Sequence, residues 1–287
     1  MSFKILTATA ATLALAAATA FAADATFDRT LNVSGSPNVS VATGSGYIHL
    51  NPGSGNQVHI VAHLRSSHGW MSGGSNVDSR IQQIVSNPPI VQNGNDITIG
   101  PEHHNGDLYN NISIDYDVTL PKTSAISATT GSGDVQIQDV GASVKAQSGS
   151  GTVRANGIQG PSTLGTGSGD IELEQTGPGD VKAETGSGSI RLKGVAGALK
   201  AGTGSGDIDV QGQPTSDWKL TTGSGSVRLA VGSAHFNLDA DTGSGSVNLS
   251  QPITMQGSLN RHHVSGPVNG GGPTIRISTG SGDIQIK

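Results

Sequence analysis

Asp134, Asp170, Asp207 and Asp283 each directly follow a Gly-Ser-Gly turn, and a carboxylate behind a glycine loop is a pattern that can hold calcium. The spacing argues against that use. In calcium-binding nonapeptide β-rolls the Asp stands further beyond the glycine and the repeat is half as long. Thr152, Ser189, Ser226 and Ser246 also replace the Asp in the other copies, which leaves too few carboxylates for a hard cation. The same loops do not read as a phosphate cradle, because each runs into a strand pattern where a helix would have to open.

Catalysis by paired carboxylates is a second chemistry to weigh. Asp170 with Glu172, and Asp207 with Asp209, could reach the separation of roughly 5 to 9.5 Å that glycosidases use, but these pairs recur as part of a repeat, whereas an active site usually departs from one. Tyr47, Trp70, Tyr109, Tyr116 and Trp218 are too few and scattered to form a sugar platform. No Gly-x-Ser-x-Gly elbow lies between a strand and a helix. His49, His59, His63, His68, His103, His104, His235, His262 and His263 include a pair on one strand face, His59 and His63, but no His-Glu-x-x-His spacing. The reading is of no catalytic residues, no metal site and no cofactor.

The tetrad that carries these aspartates begins at Thr43, Thr130, Ser148, Thr166, Thr185, Thr203, Thr222, Thr242 and Thr279. From Thr130 the steps are 18, 18, 19, 18, 19, 20 and 37 residues, the last reading as two steps with a degenerate copy near Asn260. On either side of each tetrad apolar residues alternate, as in Val181 and Ala183 before Thr185, and Ile190 and Leu192 after it. Alternation means two strands per repeat, each with one buried face. One repeat cannot bury that face alone, so the coils must stack. The prediction is an all-β parallel β-helix, or β-solenoid, right-handed, with about 18–19 residues per coil. The tetrad Thr shares parity with the apolar positions and should point inward, which speaks against an outward threonine array for binding ice.

Outward positions test the stacking. Arg154, Glu172, Arg191, Asp209 and Arg228 occupy one column and alternate in sign, as vertical neighbours in a stack should. A second column reads Ser127, Lys145, Thr163, Lys182, Lys200, Lys219, Asp239 and Arg276. Its lysines, Lys145, Lys182, Lys200 and Lys219, form a discontinuous basic stripe. Long side chains that solvate a sheet face and discourage aggregation explain it simply; contact with an anionic glycan or surface polymer is the functional reading.

The tetrads, together with "NPPIVQNGNDITIG" (87–100), "NISIDYDVTLP" (111–121) and "VNGGGPTIRISTGSGDIQI" (268–286), resemble the bacterial putative-adhesin family of β-strand-repeat proteins, a domain of unknown function. The resemblance spans nearly all of the chain after its leader. It implies the solenoid fold and an adhesive role, and it carries no catalytic residues.

The N-terminal 22 residues read as a signal peptide: a positive start, an Ala-rich apolar run and an Ala20-Phe21-Ala22 cleavage site. Residues 23–120 read as an N-terminal β region, continuous with the solenoid and with a short helix near 77–86 before Pro88-Pro89 that would cap the open end. Residues 121–287 read as the repeat solenoid of about nine coils. No later stretch is apolar enough for a transmembrane helix, and the mature chain should lack one. There are no cysteines, and 16 basic residues face 21 acidic ones, a balance that disfavours nucleic acid. Expected, then, is an exported protein of the periplasm, cell surface or exterior with a structural or adhesive role and a surface glycan or envelope component as partner. The alternative is a glycan-binding or polysaccharide-cleaving β-helix. Oligomeric state and ligand identity stay open.

Overall fold

The computed structural model describes residues 24–66, 75–101, 106–252 and 261–287. The expected signal peptide, His68, Trp70, His103, His104 and the degenerate copy near Asn260 lie outside the described residues.

Two twelve-stranded sheets face each other. The upstream sheet collects the strands that lead into each tetrad, and the downstream sheet those that leave it. In the Thr166 coil these are Ser162–Thr166 and Ile171–Gln175. In the Thr185 coil they are Val181–Thr185 and Ile190–Val195. Neighbouring coils pair in parallel, Ile171 beside Ile190 and Leu164 beside Ala183, so identical positions stack. The inward columns form one continuous core, as a solenoid requires.

The corners explain the tetrad. Each tetrad Thr or Ser is buried, and from Thr130 onward its hydroxyl donates to the carbonyl of the second tetrad glycine one coil away, as in Thr166 to Gly151 at 2.7 Å, and Thr185 to Gly169 and Thr203 to Gly188 at 2.9 Å; Thr43 donates instead to the Ile114 carbonyl at 2.9 Å. The glycines are needed chiefly because the corners touch. A β-carbon on Gly151 would fall 1.9 Å from the Gly133 oxygen, and one on Gly188 2.0 Å from that of Gly169. Close approach of backbone to backbone is a use of glycine separate from its torsional freedom.

The stacking order corrects the expectation of a strictly serial solenoid. The Thr279 coil, with strands Thr274–Ser281 and Ile284–Ile286, lies between the Thr222 and Thr242 coils: Trp218 pairs with Ile275, and Ile275 in turn with Leu238. Where a degenerate coil was expected, the described strand His263–Val268 runs antiparallel to Phe236–Ser244 at the end of the upstream sheet. The other end repeats the device. The Thr43 coil, with strands Asn38–Ser45 and Ile48–Pro52, is held between the Thr130 coil and the later strands Asp96–Ile99 and Ile112–Leu120. Strands Gln57–Ser66 and Ala25–Asn32 then extend the downstream sheet antiparallel. A helix, Ser75–Ser86, packs on these two strands and buries Ile81 and Ile84.

Candidate functional site

Two outward faces carry the charged residues. On the downstream sheet, Asp134, Asp170, Asp207 and Asp283 each turn one oxygen onto a backbone N–H of the adjacent coil, those of Thr152, Ser189, Ser226 and Ser246, at 2.8 to 2.9 Å. Arginines hold much of the remaining charge. Arg191 lies 3.7 Å from Asp170 and 3.5 Å from Glu172, and Arg228 3.0 Å from Asp207 and 3.3 Å from Asp209. The Ser226 N–H and then Arg228 hold the Asp207 carboxyl below the usual range against the opposing effect of burial, as expected for a carboxylate that accepts such bonds. Both acidic pairs considered for glycoside chemistry are thus engaged by the repeat's own ladder.

On the upstream sheet the register sets Lys182 beside Lys200, Lys200 beside Lys219 and Lys219 beside Arg276. All four side chains are exposed. Glu184 ties the first two, at 3.0 Å from Lys182 and 2.6 Å from Lys200. Hydrogen bonds from Lys200 and then Lys182 lower its pKa. Arg276 meets Asp239 at 3.4 Å. Lys145 belongs to the same column but is separated from Lys182 by Thr163. The column is therefore four contiguous cations and one outlier, because the out-of-order coil brings Arg276, not Asp239, next to Lys219.

A third group gathers where the downstream sheet leaves the repeat. Tyr47 donates its hydroxyl to Asp117 at 3.1 Å and stacks on His49, with ring centres 4.2 Å apart. His49 Nδ1 is 3.2 Å from the other Asp117 oxygen, and His63 Nε2 is 4.0 Å from the oxygen that Tyr47 binds. Beside them buried Asp115 accepts the Tyr47 N–H at 3.0 Å and pairs with Arg65. Burial first, and then the Asp117 charge, raise the Tyr47 pKa. Among the described residues no three His, Asp or Glu side chains are placed to share a metal ion. Spacing along the chain gave no warning of this group, since Tyr47 and Asp117 are 70 residues apart; the available signal was two outward aspartates in the strand "ISIDYDVTL".

Fold and corner geometry define a two-sheet parallel β-solenoid. Residues 72–287 match the Toastrack DUF4097 family model, and the chain belongs to that family. No curated protein matches it. Among solved structures it is similar to a putative adhesin from Bacteroides fragilis NCTC 9343, at 16% identity and TM-score 0.45 over 92% of this chain and 97% of that one. A putative cell adhesion protein from Clostridium sporogenes ATCC 15579 matches at 11% and 0.30, over 92% and 99%. A putative lipid binding protein from Parabacteroides distasonis ATCC 8503 matches at 11% and 0.46, over 91% and 96%. The roles in those descriptions belong to those proteins.

Proposed function

We propose that the protein is an exported, non-catalytic β-solenoid that serves a structural or adhesive role at the cell envelope, with its upstream sheet contacting an anionic glycan or envelope polymer. Residues 1–22 would be removed on export, and 23–120 and 121–287 would act as one continuous rod. The observation that carries this reading is the column Lys182, Lys200, Lys219 and Arg276 on adjacent parallel strands. Adjacent strands lie roughly 4.8 Å apart, and like charges directly opposite one another destabilise a sheet. Glu184 and Asp239 offset part of that repulsion; a linear polyanion laid along the column would offset the rest. Lys145 would extend the contact.

The test replaces Lys182, Lys200, Lys219 and Arg276 by Ser or Thr, which the same column already holds at Ser127 and Thr163. Binding to a carboxylated polysaccharide, and to its carboxyl-reduced form, is then measured across salt. Loss of salt-sensitive binding to the charged form is expected. Unchanged binding would refute the polyanion contact, and recovery of the full-length protein in the cytoplasm on fractionation would refute the envelope role.

A further inference from the structure

The downstream face is most unlike its own repeat at the Thr43 coil. The position that holds Asp, Thr or Ser in the other coils is Tyr47 here, and the next outward position, charged or amide elsewhere, is His49. A concavity of about 290 Å³ opens beside Tyr47, lined also by Thr26, His63, Arg65 and Asp115. That volume is near the lower limit of small-molecule sites, roughly 300 Å³, so one ring fits better than a chain.

We propose that this concavity binds the neutral pyranose ring at the end of a glycan. Its polar walls are already fixed before any ligand arrives. Asp115 is buried and held by the Tyr47 N–H and by Arg65. Tyr47 is clamped between its bond to Asp117 and the His49 ring. Such rigidity removes much of the ordering cost of binding. The chemistry matches a sugar: an aromatic ring for the C–H face, guanidinium N–H groups and a threonine hydroxyl to donate, and carboxylate oxygens to accept. It does not match an anion, because Asp115 already neutralises Arg65 while Asp24 and Asp117 stand close by. The site lies on the opposite sheet from the cationic column and does not depend on the polyanion reading.

The experiment titrates isotope-labelled protein with methyl glucoside, galactoside, mannoside and N-acetylglucosaminide, with the methyl glycoside of glucuronate as the anionic comparison, and with reduced trisaccharides of the same neutral sugars, following amide resonances. Saturable shifts at Tyr47, His63 and Arg65 are expected, with trisaccharides binding at least as tightly as single rings. Tyr47→Ser restores a residue type that the repeat uses at this position, as in Ser189 and Ser226, and should preserve the fold while weakening binding about tenfold or more. Arg65→Lys should keep Asp115 paired and weaken binding similarly. Lys200→Ser, on the other sheet, should leave it unchanged. Absence of saturable shifts with every neutral sugar, equal affinity in a folded Tyr47→Ser protein, or shifts with glucuronate alone would overturn the proposal; free sugars binding while trisaccharides do not would overturn the glycan end.

Discussion

Asp283 accepts the backbone N–H of Ser246 at 2.9 Å, although Ser246 lies 37 residues earlier in the chain. The two are neighbours because the Thr279 coil slides between the Thr222 and Thr242 coils. The corner threonines follow the same path, with Thr279 donating to Gly225 and Thr242 to Gly282, both at 2.8 Å. Every element of the ladder is thus kept intact by an order of stacking that differs from the order of synthesis.

Removal of residues 269–287 is expected to open a gap inside the stack rather than to shorten it. Both Trp218–Ser224 and Phe236–Ser244 would lose the strand that lies between them. Hydrogen exchange should show lost protection on both strands, together with self-association through the exposed edges. Lost protection on Phe236–Ser244 alone would contradict the stacking order.

Arg191→Glu places a third acidic side chain in line with Glu172 and Asp209 and removes two ion pairs. A loss of about 1 kcal/mol is expected for these exposed groups. Added salt should recover part of it. Urea unfolding at low and high salt measures both, and a neutral, salt-insensitive result would contradict the ladder.

Two glycine substitutions, neither at a positive φ, should isolate the cost of contact. Gly151→Ala forces a methyl against the Gly133 carbonyl and should cost about 1 to 3 kcal/mol or more. Gly202, in the strand Leu199–Ser205, has no atom nearer than 3.8 Å to a built β-carbon. Gly202→Ala should be neutral or stabilising by up to about 1 kcal/mol. Thermal unfolding of the two variants decides.

Asp207→Asn probes the acid limb of stability. The Asp207 carboxyl is held below its ordinary value of 3.8 in the folded protein, so its contribution is complete above that value and is lost as pH falls through the folded-state pKa. The variant should be less stable than the parent near neutrality, with the difference closing at acid pH. A constant difference across the titration would mean that the charge plays no part.

The inward columns were readable because two periods coincide in them: alternation along a strand, and the return of the tetrad every 18 or 19 residues. Ile171, Ile190 and Ile208 stack as that pattern requires. The order of the last coils left a fainter trace. Ser226 and Ser246 are consecutive in sequence at the ladder position, which breaks the alternation of Asp with Ser or Thr; inserting Asp283 between them restores it. An Asp there needs a neighbour's N–H, and two small residues side by side leave none to accept it. The lysines at 182, 200 and 219 were visible as a column, but the place of Arg276 beside Lys219 depended on the insertion. The Tyr47, His49 and Asp117 group was hidden for the same reason, since strands distant in sequence are brought together by the insertion of the Thr43 coil.

Solenoids usually fray at their ends, where the final turn has a neighbour on one side only. Here the C-terminal Ile284 and Ile286 are flanked on both sides, by Val227 and Leu229 and by Val247 and Leu249. A chain emerging N-terminus first must present the Thr242 turn before its resting place exists. Only when Thr274–Ser281 and Ile284–Ile286 have been made can the wedge seat and the stack become continuous, so the Thr242 coil must wait for a segment that follows it in the chain.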